Sequence, residues 1–237
     1  MVAVIYSAIA GLATVLGAIL TLSFRLTDRI VAFALGMSVG VMVFISYLDL
    51  IPTAMMKGGW AHLVVGMVLA ILFMLLLHHI PFSKVGSGDQ ISDYTRLGVL
   101  LVIAVAVHNT PEGAAIGIGF DLENHLGHTL ALAMFIHNIP EGIGLAAPLR
   151  AAGFMRSRII LLSLICGATL PLGTWIGIRF LSQSSDIISG GLIFAAVVML
   201  WTAICEISPS AFRQSPLYAY FGIGMGSLFM CTVHMLH

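Results

Sequence analysis

Eight apolar runs of about twenty residues, held apart by short polar breaks, constrain this chain more than anything else in its sequence. A helix needs about 20 residues to cross the roughly 30 Å hydrocarbon core of a bilayer. The runs fall at approximately 2–23, 30–54, 60–80, 97–120, 127–149, 158–181, 187–207 and 216–236. The breaks between them carry most of the charges, the Gly-Gly pair at 58–59 and the prolines at 81 and 216. A soluble fold of this length would need a polar coat. With 59% apolar and 8% charged residues, ten basic and ten acidic side chains cannot supply one. The expected fold is all-α, a polytopic membrane protein of eight transmembrane helices forming one transmembrane domain over residues 1–237.

Orientation follows from the basic residues, which are retained on the cytoplasmic side in short loops. Arg25, Arg29, Lys84, Arg96, Arg150, Arg156, Arg158 and Arg213 share one side of an eight-helix arrangement, and only Lys57 and Arg179 lie on the other. Both termini are therefore expected outside the cytoplasm. The first run has its arginines after it rather than before, so it reads as a spanning helix and not as a signal peptide. Zero net charge gives no basic face for nucleic acid. Cys166, Cys205 and Cys231 lie inside apolar runs with no short spacing, which supports neither a disulfide framework nor a thiolate metal site.

Two internal repeats divide the chain. His108-Asn109-Thr110-Pro111-Glu112-Gly113 recurs as His137-Asn138-Ile139-Pro140-Glu141-Gly142 on the next helix. A weaker match relates Val41-Met42-Val43-Phe44 through Asp49-Leu50-Ile51-Pro52 on the second helix to Val198-Met199-Leu200-Trp201 through Glu206-Ile207-Ser208-Pro209 on the seventh. Those two helices run in opposite directions. The pattern predicts a 3+2+3 arrangement, with inverted outer repeats around helices four and five. Asp49 and Glu206 are expected to end their helices near opposite faces, the first at an entrance and the second on an exit path, or else as charges reaching to water. Gly222, Gly224 and Gly226 predict a close helix contact.

The doubled motif carries the chemistry. His108 and Glu112 lie four apart on one helical face, with Asn109 on its flank, and His137, Asn138 and Glu141 repeat the placement. Each proline removes a backbone N–H and frees the carbonyl of residue i−4, which lipid tolerates only beside protein or a water-filled cavity. Ionised side chains at this depth cost roughly 2.5–3.5 kcal/mol each on insertion scales. Two carboxylates recurring in register therefore imply a compensating cation, a metal ion or a proton. Imidazole with carboxylate suits Zn²⁺, Fe²⁺, Co²⁺, Mn²⁺ or Cd²⁺ and disfavours Cu(I) or an all-oxygen calcium cage.

On these residues the chain resembles the ZIP (Zrt/Irt-like) family of divalent metal-ion transporters, and its bacterial zinc-uptake members above all. The resemblance covers nearly the whole chain. It includes Gly40-Val41-Met42 through Pro52, both central motifs, Pro171-Leu172-Gly173 and Glu206-x-x-Pro209. It implies passage of Zn²⁺, or of Cd²⁺, Fe²⁺, Mn²⁺ or Co²⁺, across a bacterial inner membrane into the cytoplasm. It also implies a two-position metal site: His108, Glu112, His137 and Glu141 with Met42 at one position, and Asn109, Glu112, Asn138 and Glu141 at the other. The metal is cargo, with no catalytic cofactor expected. The expected partners are metal ions and the lipid bilayer, with a homodimer left open and no nucleic acid.

Two departures stand out. The family commonly carries a glutamate just before the helix-six proline, where this chain has Leu170, so the second position lacks an acid. The stretch from Pro81 to Arg96 holds no histidine, although His78 and His79 precede it and could relay metal at the exit. Asp121, Glu123, His125 and His128 lie between the motif helices, as a cation funnel or an ordinary solvated loop. A membrane metallohydrolase and a proton- or cation-coupled carrier of another solute are the competing readings. No H-E-x-x-H pattern supports the first, and the facing imidazoles are not what the second needs.

Overall fold

The computed structural model describes residues 1–24, 26–79 and 90–235, with 77–79, 90–101, 104, 124, 148 and 151 described by backbone alone. Every regular element among the described residues is helical, in eight consecutive rods. They are α1 (Val2–Ser23), α2 (Asp28–Lys57), α3 (Trp60–His79), α4 (Gln90–Leu122), α5 (Asn124–Ala151), α6 (Arg156–Leu181), α7 (Ser185–Gln214) and α8 (Pro216–Met235). The eight apolar runs are these eight helices. Six are long and apolar enough to cross a membrane on the described residues, while α3 and α4 adjoin the undescribed 80–89. The break expected from Pro81 to Arg96 is shorter, because helix resumes at Gln90. Lys84 and the side chains of His78, His79 and Arg96 lie outside the described set.

Local chemistry sets the helix ends. The Thr27 hydroxyl accepts from the Ile30 N–H at 3.4 Å and the Ser184 hydroxyl from Ile187 N–H at 3.3 Å, capping α2 and α7. Between α5 and α6 the chain turns at Gly153 with φ of 78°, a left-handed conformation that suits glycine.

Polarity is inverted relative to a water-soluble fold. Leu12, Val65, Leu72, Leu161, Leu217 and Phe221 are exposed, whereas the His, Asn and Glu of both motifs are buried. An apolar outside is stable only against lipid, and a polar inside only where its groups find partners. Both features follow from the alternation of apolar runs and polar motifs in the sequence.

The helices pack as two groups. α1 lies on α5 and α6, and α4 lies on the same two; α2 lies on α8 and α7, and α3 lies on α7. The groups meet where α2 touches α5 and α4 touches α7. This puts α4 and α5, the two motif helices, at the centre.

Asp49 and Glu206 do not end their helices, contrary to expectation. Each sits in a widened turn with i→i+5 bonding, Ser46–Leu50 and Thr202–Ile207, after which α-helix resumes as Ile51–Lys57 and Ser208–Gln214. Pro52 and Pro209 follow these turns directly. A proline costs one backbone bond, and the widened turn absorbs the misfit so that the rod bends instead of stopping. The short sequence match between the two helices is thus also a match in local geometry.

Candidate metal centre

Close helix approach builds the site. A Cβ added at Gly113 on α4 would fall 2.0 Å from the Leu170 carbonyl oxygen on α6, and one at Gly142 on α5 would fall 2.0 Å from the Thr14 oxygen on α1. The motif glycines therefore let α6 and α1 press against the backs of the motif helices. Close contact brings backbone carbonyls within reach of the motif amides. Asn138 Nδ2 donates to Ala10 O at 2.9 Å, and Asn109 Nδ2 donates to Cys166 O at 3.4 Å and to Glu141 Oε2 at 3.4 Å. With the N–H ends held this way, the side-chain oxygens of both asparagines are left free to face elsewhere.

His and Glu pair across the two helices rather than within one. His108 Nε2 lies 2.6 Å from Glu141 Oε1, and His137 Nε2 lies 3.3 Å from Glu112 Oε2. The expectation that each His and Glu share a helical face holds, but each histidine takes its hydrogen bond from the opposite motif. Among the described residues no three His, Cys, Asp or Glu side chains already converge on one point as ligands. The centre is a crossed pair of imidazole–carboxylate bonds, and a metal ion would enter by replacing them.

Its unmet valences suit a cation. Asn109 Oδ1, Asn138 Oδ1 and Glu112 Oε1 are buried and have no hydrogen-bond partner among the described residues. A buried acceptor left unpaired costs about 1–3 kcal/mol, more when charged. Three such oxygens beside two imidazoles form a donor set that a divalent transition metal satisfies.

Met42 is fully buried and joins this group through a residue that the sequence reading missed. The Ser38 hydroxyl lies 2.9 Å from His137 Nδ1 and 3.8 Å from Met42 Sδ. The only sequence trace of Ser38 is a lone serine one turn before Met42 in an apolar run. A hydroxyl both donates and accepts, so Ser38 holds the His137 ring in either tautomer. It can donate to Nδ1 when Nε2–H bonds Glu112, and accept from Nδ1–H were Nε2 to ligate a metal. Ser38→Ala is expected to weaken metal binding by about 10–100-fold, the usual cost of removing a residue that orients a ligand. Calorimetry against a competing chelator measures it, and an unchanged affinity would show that His137 needs no such support.

A cavity of about 450 Å³ opens from the site, with His108 and Glu141 at its inner end and Glu206, Ser210 and Arg213 along its wall. It leads to the face that carries Arg29, Arg150 and Arg213. Toward the other face Ile116, Leu130, Met134 and Met199 are fully buried in one apolar cluster. Glu206 thus lines the cavity that adjoins His108 and Glu141. Asp49 lies away from it, 3.0 Å from His234 Nδ1. Asp121, Glu123 and His125 are exposed between α4 and α5, and His128 packs edge-on against Tyr6 and Phe120. Leu170 is fully buried behind Gly113.

Comparison with known proteins gives a consistent result. The family model described as ZIP Zinc transporter matches residues 77–234. The zinc transporter ZupT of Corynebacterium glutamicum is 31% identical over 96% of this chain and 95% of its own length. ZupT of Chlorobium luteolum is 34% identical over 88% of this chain and 87% of its own. The zinc transporter GufA of Myxococcus xanthus is 34% identical over 62% of this chain and 60% of its own.

Proposed function

The chain belongs to the ZIP family, and from that premise we propose that it carries Zn²⁺ across a bacterial inner membrane into the cytoplasm through the crossed His–Glu centre between α4 and α5. The relatives' names point to zinc transport and to no enzyme activity. What supports the site above all is the set of buried oxygens without partners on Asn109, Asn138 and Glu112, beside two imidazoles. His108, Glu112, His137, Glu141 and Met42 form the first metal position. Asn109 and Asn138 join the same two carboxylates at the second. The same donor chemistry admits Cd²⁺, Fe²⁺, Mn²⁺ and Co²⁺.

Loading follows from the pairing. Incoming metal takes His108 Nε2 and His137 Nε2, which must carry no proton to ligate, so the proton that Nε2 shares with a carboxylate moves to Nδ1 of the same ring, or leaves where the ring was charged. The two carboxylates lose their imidazole partners and gain the ion, which leaves no buried charge uncompensated. Release runs past Glu206 through the 450 Å³ cavity, whose lining includes Arg213, one of the arginines that mark the cytoplasmic side. That side assignment puts both termini outside.

The 3+2+3 arrangement belongs to the same proposal. Exchanging α1 with α6, α2 with α7, α3 with α8 and α4 with α5 turns the α2–α8 contact into α7–α3 and the α1–α5 contact into α6–α4. The matched widened turns before Pro52 and Pro209 obey the same exchange. Inverted repeats of this kind allow a site to open to either face in turn.

Metal counting on the purified protein tests the site. With Leu170 in place of an acid, the wild type is expected to hold one Zn²⁺ per chain after desalting, and Leu170→Glu two. No bound zinc in either folded protein would defeat the site. A count of one in both would show that an acid at position 170 is not enough to fill the second position, and two in both that the position does not depend on that acid.

A further inference from the structure

The outer helices α3 and α8 hold equivalent places in the packing, and a slot opens beside α3. α8 lies tight on α2: a Cβ at Gly222 would come within 2.2 Å of Phe33 O, and one at Gly226 within 2.3 Å of Met37 O. α3 lies close on α7, where a Cβ at Gly66 would fall 2.5 Å from Gly190 O, but it stands off from α4 and α6, and a cavity of about 760 Å³ lies there, edged by α7.

The shape and chemistry of this cavity specify an occupant. At one end His62 Nδ1 and Asp186 Oδ1 lie 3.1 Å apart, both half-exposed. At the other Phe73 and Phe194 close it, ring centroids 5.4 Å apart. From His62 to Phe73, at 1.5 Å per helical residue, the slot runs about 16 Å. That is one leaflet of a hydrocarbon core roughly 30 Å thick. The hydroxyls in its walls are already bonded within their own helices, Thr110 to Ala106 O at 3.1 Å and Thr169 to Cys166 O at 2.6 Å. The walls thus present methyl, methylene and ring groups. Water has no partners there, and the slot is open along its side rather than sealed within the bundle, so what surrounds the helix can fill it.

We propose that this slot binds one acyl chain of a phosphatidylethanolamine molecule, whose head group sits at the His62–Asp186 pair. The pair fits a zwitterion: the Asp186 carboxylate accepts from the head-group ammonium, and the His62 ring donates to the phosphate. The lipid comes from the leaflet facing the α2–α3 connection, the outer one in the proposed orientation. Its chain lies along Thr110 and Pro111, on the back of the turn that presents Asn109 and Glu112. Lipid in the slot therefore keeps α3 and α7 from collapsing onto the proline-weakened turn of α4.

Native mass spectrometry of the detergent-purified protein tests this without reference to transport. Wild type is expected to retain one phosphatidylethanolamine per chain through delipidation. Gly190→Phe is expected to lose it. A Cβ at Gly190 meets only His62 O, at 3.7 Å, so the backbone accepts the substitution while the ring fills the slot. Val65→Trp fills the slot from α3 and is expected to do the same if Gly190→Phe does not fold. Gly224→Phe, where an added Cβ meets nothing within 4 Å, is expected to retain the lipid. Asp186→Asn is expected to lower retention of phosphatidylethanolamine relative to phosphatidylglycerol. Equal retention by wild type and a folded slot-filling variant, or a folded wild type without lipid, would overturn the proposal.

Discussion

Glu141→Gln weakens Zn²⁺ binding by at least about a hundredfold, equivalent to roughly 2.7 kcal/mol, and Glu112→Gln does the same. Glutamine keeps the shape of the side chain and one of its hydrogen bonds, so the change removes charge with little change in packing. Each carboxylate serves both proposed metal positions and also holds the imidazole of the opposite motif. Without it, a doubly charged ion would sit in a low-dielectric site with one compensating charge, and electrostatic attraction there is far stronger than in water. The loss should be similar for the two variants because each removes one of the two carboxylates that both proposed positions share. Titration calorimetry with a competing chelator gives the ratio. A change under about threefold in either variant would place the metal somewhere other than between α4 and α5.

Gly142→Leu is expected to prevent correct packing of α5 against α1, and Gly113→Leu to do so for α4 against α6. The atoms in the way are backbone, the Thr14 and Leu170 carbonyls, each 2.0 Å from where the first side-chain carbon would stand. Backbone in a packed helix cannot turn aside as a flexible side chain can. Overpacking that shifts side chains costs about 1–3 kcal/mol, and displacement of a helix costs more. Parting α1 from α5 would also break the bond between Asn138 and Ala10. A fluorescence-detected melting curve in detergent should show both variants well below wild type, with Gly224→Leu unchanged as the comparison. Melting of Gly142→Leu at the wild-type temperature would mean that α1 and α5 are not held as described.

Much of this was legible in the sequence because the bilayer permits so few solutions. Each apolar run of about twenty residues must be a helix, since only internal bonding satisfies the backbone in lipid. The doubled motif was legible because buried charge at matched spacing has few explanations other than an ion. What tertiary packing decides was not. Helical spacing puts His108 and Glu112 on one face but says nothing of which carboxylate each ring will choose, and the choice falls across the helices. Pro52 and Pro209 read as stops, yet the chain widens a turn and continues. Gly222 and Gly226 are contacts as expected, while Gly224, between them, faces open space, because alternate residues point to different sides of a helix. Ser38 had no local signal, since its partner lies 99 residues further along the chain. The slot beside α3 is likewise invisible to a linear reading, because it arises from the distance between helices.

The most direct measurement is Zn²⁺ flux into liposomes that hold an entrapped fluorescent indicator, comparing wild type with Glu112→Ala and Glu141→Ala. Saturable uptake by wild type, lost in both variants while their circular dichroism stays helical, is the predicted result, and competing Cd²⁺, Fe²⁺ or Mn²⁺ then ranks the cargo. Absence of flux from folded wild-type protein across imposed pH gradients and voltages, or undiminished flux in either variant, would contradict transport through the crossed His–Glu centre.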